Sequence, residues 1–233
     1  MSGRLGSSPS RLPGAGALAR AFILAALTTG CGTTTAVRPL GQGNADVHAS
    51  VGGPLVNFDG KPVAVPVVMA GGGFGATDRV DVSGDVDVTA ALFGVAHLST
   101  GMAYHPVLWS GNRALPAVTV AETLHVLTDF TNTRLAPQTT AVAAWRLGAG
   151  HLLYAGADCG VVFGTPFDGT KFLAGPLVGG ELKATNHLGI ALEAKWLAPY
   201  YDTGPLAPDW ISPGSRGYLS VLLGFRGYLD GVP

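Results

Sequence analysis

The C-terminal segment Gly217-Tyr218-Leu219-Ser220-Val221-Leu222-Leu223-Gly224-Phe225-Arg226-Gly227-Tyr228-Leu229 sets the pattern from which the fold follows. Leu219, Val221, Leu223, Phe225 and Leu229 share one parity, and Tyr218, Ser220, Gly224, Arg226 and Tyr228 share the other. Successive side chains of a strand point to opposite faces, so this is a strand with one apolar and one polar face. The same alternation recurs upstream. Leu188, Ile190, Leu192, Ala194 and Trp196 oppose Gly189, Ala191, Glu193 and Lys195. Leu153, Ala155, Ala157, Cys159, Val161 and Phe163 oppose Tyr154, Gly156, Asp158 and Gly160, and Val178, Gly180 and Leu182 oppose Gly179, Glu181 and Lys183. A slip of one residue would exchange the faces, so the register is well specified.

Turn clusters divide the chain after residue 44 into strands near 45–56, 63–75, 79–86, 91–104, 115–128, 138–148, 151–164, 173–184, 188–198 and 217–229. Val88 to Asn112 lacks Asp, Glu, Lys and Arg, as a transmembrane helix would, yet its His, Pro and Gly residues and its alternation favour strands. Short connections at Ala76-Thr77-Asp78, Ala149-Gly150 and Thr185-Asn186-His187 alternate with longer ones at 57–62, 129–137, 165–172 and 199–216. The segment 105–114 is the exception, long where a short turn is due. Ten strands is the count, and eight if the weak pair around 79–104 is misread.

Composition narrows what such a sheet can be. Of 233 residues, 12% are charged, about half the share usual in a soluble domain, and 47% are hydrophobic. Mean hydropathy is +0.34. A net charge of −1 gives no field to hold a polyanion, so nucleic acid is excluded as a partner, and 35 Gly with 16 Pro argue against long helices.

The N-terminus carries Arg4, Arg11 and Arg20, then the apolar run Ala21-Phe22-Ile23-Leu24-Ala25-Ala26-Leu27, then Thr28-Thr29-Gly30-Cys31. Basic residues, a short apolar core and small residues make an export signal, too short to span a bilayer. Its end resembles a bacterial lipoprotein signal, in which a small residue precedes a Cys that is acylated after cleavage. Gly30 and Cys31 match, while Thr28 stands where that family usually has Leu, with Leu27 one place early. The resemblance implies a signal over 1–30, acylation at Cys31, a flexible tether over 31–44 and a barrel domain over 45–233. An ordinary signal peptide that happens to contain a Cys is the alternative, and a start codon placed too early would account for the long basic leader. Only Cys159 remains downstream, so no internal disulfide is expected.

The region after residue 44 resembles the small up-and-down outer-membrane β-barrels of Gram-negative bacteria. The resemblance is one of pattern and contains no catalytic motif. It implies an all-β fold, a closed antiparallel transmembrane β-barrel of about ten strands, in contact with outer-membrane lipid and monomeric. Such a barrel is narrow enough to be filled by its own side chains. Arg146, Asp158, Glu181, Lys183, Glu193, Lys195 and Arg226 fall on inward faces and form a candidate lumenal charge network. Glu122 shares parity with Val118, Val120, Leu124 and Val126 and is a misfit. The role implied is non-enzymatic: structural, surface-recognition or minor transport.

Two other readings stay open. One is a soluble periplasmic β-sandwich lipoprotein with its charges on a solvated face. The other is a lipid-modifying barrel enzyme, for which His97 and Ser99 share a face and His125 lies near Glu122. Asp202-Thr203-Gly204 looks like an aspartic-protease triplet but has no second copy to share a proton with. Gly71-Gly72-Gly73-Phe74-Gly75 lacks the Lys-Ser/Thr of a phosphate loop and reads as strand glycines. His48, His97, His105, His125, His151 and His187 show no metal-ligand spacing, and neither metal nor cofactor is expected. The segment 199–216 holds Tyr200, Tyr201, Trp210 and four prolines, and is the candidate recognition loop for an extracellular ligand. The alternative is that these aromatics sit at the membrane interface.

Overall fold

The computed structural model describes residues 32–58, 61–64, 66–110, 114–163, 171–202 and 216–231. Alternating segments form the strands β1 (Ala45–Phe58), β2 (Lys61–Ala64), β3 (Val67–Thr77), β4 (Val80–Asp87), β5 (Ala96–Val107), β6 (Ala117–Thr128), β7 (Thr133–Leu147), β8 (His151–Val162), β9 (Lys171–Lys183), β10 (Leu188–Asp202) and β11 (Arg216–Tyr228). Each pairs antiparallel with its neighbours, and β11 pairs back onto β1 from Asp46↔Tyr228 to Pro54↔Ser220. The sheet is therefore closed and has no free edge. β2 and β3 continue one another in register against β1 (Leu55↔Ala64, then Gly52↔Val67), so they are halves of a single wall strand broken at Pro66. The barrel thus has ten strands, which rules out both the eight-strand count and the sandwich.

The burial pattern is inverted relative to a soluble protein. Val47, Phe74, Leu98, Leu192 and Phe225 are exposed on the outside, while Glu193 and Lys195 are 0% and 3% exposed within. An apolar belt with polar residues enclosed is what a bilayer requires of a spanning sheet. Glu122 keeps its outward parity and is exposed, and the Thr139 hydroxyl donates to its carboxylate at 2.9 Å.

The connections sort onto two rims. One rim carries the turns after β3, β7 and β9, the ends of the barrel at Ala45 and Tyr228, and the segment after β5. The other carries the connections after β1, β4, β6, β8 and β10. Two expectations change here. The segment after β4 is not part of a strand: Val88–Leu92 is a short helix, α1, capped by the Asp87 carboxylate, which accepts from the Ala90 amide at 2.9 Å. The connection after β6 is shorter than 129–137, because β7 starts at Thr133. Pro137 hid this. It interrupts the β7–β8 ladder between Gln138↔Gly160 and the bridge Leu135↔Phe163, where its missing N–H removes a donor.

Candidate functional site

What fills the barrel is the chain itself. The stretch expected as a tether is packed inside the lumen, with Val37, Arg38 and Leu40 all buried. Below it, Gly41 and Gly43 adopt φ of 77° and 84°, values that favour glycine, and reverse the chain into β1. The Gly43 amide donates to the Gly75 carbonyl and the Gly75 amide to the Asn44 carbonyl, both at 2.9 Å, which ties this reversal to the wall. A Cβ at Gly75 would run into the Gly41 carbonyl oxygen, so this inward position must stay bare. Gly224 plays the same part for Thr34, whose Cβ lies 3.1 Å from where a side chain would begin.

Each turn of the segment meets a charged or polar wall group. The Leu40 amide donates to Asp81 at 3.0 Å, Arg38 pairs with Glu181 at 2.9 Å and donates to the Gly150 carbonyl at 2.7 Å, and the Thr35 amide donates to Glu193 at 2.9 Å. The Ser50 hydroxyl donates to the Gly32 carbonyl. A cavity of about 70 Å³ remains between residues 33–36 and a wall that includes His48, Asp85, His125, Lys195 and Arg226. That volume holds a few waters.

Of the residues expected to form one charge network, the structure joins some and separates others. Lys195 lies 3.1 Å from both Asp158 and Glu193, and Tyr154 donates to Glu193 at 2.9 Å. Glu181 belongs instead with Arg38 and Tyr228, and Arg226 pairs with Asp46 at 2.8 Å. Lys183 is half-buried at the rim, near Gly150. Arg146 leaves the network: it is exposed and sits 4.5 Å from the ring centre of Trp109. Trp109 explains the long connection after β5. It folds into the mouth of the barrel, donates to the Ala144 carbonyl at 3.0 Å and packs against Val37, Val142, Leu152, Tyr154 and Leu177.

Sequence reasoning missed the acidic half of the lumen. Asp81, Ser83, Asp85 and Asp87 alternate with Val82, Gly84 and Val86, a parity as plain as that of β11. Three histidines meet these acids: His105 contacts Asp81 at 3.0 Å, His48 contacts Asp85 at 2.7 Å and His97 contacts Asp87 at 3.2 Å. His97 and His125 are 3.2 Å apart, and His125 reaches Gln138 at 3.2 Å. Ser99 donates to Asp85 at 3.0 Å rather than to an imidazole. Among the described residues, no group of His, Cys, Asp or Glu has metal-binding geometry.

Of the candidate recognition loop, residues 203–215 lie outside the described residues. β10 runs to Asp202, so Tyr200 and Tyr201 belong to a strand end and not to a loop. Tyr200 is exposed, donates to the Phe172 carbonyl, accepts from the Ala174 amide and stacks on Phe172. The side chain of Tyr201, Trp210 and the end of the Asp202-Thr203-Gly204 triplet lie outside the described residues, as do Cys31 and the leader. Cys159 is a free, exposed cysteine on the outer face.

No protein-family model matches the chain, and no curated protein matches it by sequence. Among solved structures it is similar to a bacterial polysaccharide outer membrane secretin (9% identity, TM-score 0.34, covering 81% of this chain and 98% of that one). It is also similar to a loop L8 deletion mutant of OmpT, an outer membrane protein of Vibrio cholerae (9% identity, TM-score 0.32, 79% and 97% covered). A third is the translocator domain of the autotransporter NalP from Neisseria meningitidis (8% identity, TM-score 0.36, 91% and 95% covered). The fold described above rests on the strand pairing itself.

Proposed function

We propose that the chain is a monomeric, non-enzymatic outer-membrane β-barrel lipoprotein, acylated at Cys31, that acts through its long-loop rim and not through its lumen. The observation that carries this reading is the segment from Gly32 to Leu40 packed inside the lumen, where the cavity described beside residues 33–36 has a volume of about 70 Å³. The apolar outer belt supports the membrane placement, and the short turns at one rim suit a periplasmic end. Ser99 donates to Asp85 and not to His97 or His125, so the serine–histidine pair expected of a lipid-modifying barrel enzyme is not formed, which supports the non-enzymatic reading. The rim that carries 199–216, with Tyr200, Tyr201 and Trp210, is the surface offered to an extracellular ligand.

Two measurements test this. Protein reconstituted in planar bilayers gives no steady conductance; a stable open channel overturns the sealed-lumen reading. Cys31→Ala protein stays in detergent-resistant outer membranes, because the barrel spans the bilayer by itself. Its release into buffer contradicts the membrane placement.

A further inference from the structure

The lumenal segment has a direction, and that direction determines where the chain's N-terminal side emerges. Leu40 sits at the short-turn rim, bonded to Asp81 beside the β3–β4 turn, and Arg38 reaches the Gly150 carbonyl in the β7–β8 turn. Gly32 lies at the other end. A Cβ there would stand 2.8 Å from the Met69 side chain and 3.0 Å from that of Val67. Those β3 residues are level with α1 on the long-loop rim: Met69 pairs with Asp87, and the Val68 amide donates to the Thr89 hydroxyl at 3.0 Å. Chain from Gly32 to Leu40 can reach roughly 26 Å when extended, enough for the ~25 Å height of an apolar barrel belt, and its contacts lie at both rims. The segment therefore crosses the whole lumen.

The exit is flanked by exposed apolar side chains. Val88, Leu92 and Phe93, on and next to α1, are 42%, 80% and 60% exposed at that rim. Such a short apolar shelf suits a lipid surface better than water.

We propose that the chain enters the lumen from the long-loop rim, so that whatever precedes Gly32 is delivered to the long-loop side of the membrane. If Cys31 is acylated, as the proposed function holds, its acyl chains enter the leaflet on that side, beside α1. The barrel would then be a conduit for its own anchor, with the lipidated end on the opposite side from Ala45 and Tyr228.

Threading and sidedness are tested separately. In the full chain with Cys159→Ala, the pair Thr34→Cys and Gly224→Cys should form a disulfide during export, because the two Cβ positions are 3.1 Å apart and a shift of a few tenths of an ångström in the segment brings them to disulfide spacing, ~3.5–4.5 Å. It is read as a linked peptide by mass spectrometry, in protein whose heat-modifiable gel mobility shows a folded barrel. A folded barrel without that linked peptide overturns the proposal. For sidedness, residues 1–31 are replaced by a cleavable, non-lipoprotein export leader followed by an epitope tag. A different tag is placed within 203–215. Both tags should be labelled in intact cells; labelling of the loop tag alone, with the N-terminal tag reached only after the outer membrane is opened, overturns the proposal. Acylation is read independently, as the mass of the N-terminal peptide of the natural chain. An unmodified Cys31 removes the lipoprotein reading and leaves the exit side unaffected.

Discussion

Lys195 shows how far a lumenal charge depends on its partners. It is 3% exposed and lies between Asp158 and Glu193, so Lys195→Met leaves two buried carboxylates without their cation. Breaking a buried pair from one side costs about 3–5 kcal/mol, and denaturant unfolding in detergent should show a loss of that order. A loss under about 1 kcal/mol would mean that the pair contributes as little as a surface one. Glu122 is the opposite case. Its carboxylate faces outward, held by Thr139, and a charge on the lipid face costs free energy. Glu122→Leu should therefore raise the unfolding free energy in lipid vesicles, by up to about 2 kcal/mol. A clear destabilisation contradicts the lipid-facing placement. At the long-loop rim, the Asp129 carboxyl is held below its ordinary 3.8 by bonds from the Asn132 and Thr131 amides. A depressed folded value means that the turn gains its full support above the unfolded value and loses it as pH falls through the folded one. NMR titration of the Asp129 carboxyl carbon should give a midpoint below 3.8, with the Thr131 and Asn132 amides moving together with it. A midpoint at or above that value contradicts the turn geometry.

At the scale of elements, the wall was legible and its filling was not. Lipid on one side and a polar lumen on the other impose strict alternation, which is why β8, β10 and β11 can be read directly from their residues. Parity reports which side of the wall a side chain takes, but not what stands opposite it. The segment 32–44 carries no periodicity of its own, since it bonds to the wall through isolated groups such as Arg38 and the Leu40 amide. Its traces were in the wall instead. Gly75 and Gly224 occupy inward positions against Gly41 and Thr34 where a narrow barrel would otherwise place side chains, and those gaps follow the shape of the segment. α1 was hidden because five residues are too few for a helical period to show. The glycine argument makes a prediction. Gly224→Val puts a branched side chain where Thr34 lies, so the segment should be displaced while β10 and β1 still pair with β11. Proteinase K should then cut within 32–44 faster than in the unaltered protein, with the heat-modifiable mobility of the barrel retained. Equal cleavage rates would show that the lumen accommodates the larger side chain without yielding the segment.

For the whole molecule, the segment and the wall divide the electrostatic work between them. The wall places Asp46, Asp81, Asp85, Asp87, Asp158, Glu181 and Glu193 inside, against Lys195 and Arg226, the segment adds Arg38, and imidazoles contact three of the acids. Closure of the sheet does not depend on the segment, because each strand is paired on both sides by other wall strands. Deleting Gly32–Leu40 with the leader joined at Gly41 should therefore leave a barrel that still assembles, at lower stability because Glu181 loses Arg38. Its lumen would lose the segment that fills it and be lined mainly by carboxylates. Fixed acids in a narrow pore concentrate cations and repel anions, so the deletion protein should conduct where the unaltered one does not. In a salt gradient its reversal potential should carry the sign of cation selectivity, and adding Asp81→Asn and Asp85→Asn should weaken that selectivity. An anion-selective or non-conducting deletion protein would contradict this account of the lumen, the first by its charge and the second by showing that Trp109 and the wall side chains close the barrel without the segment.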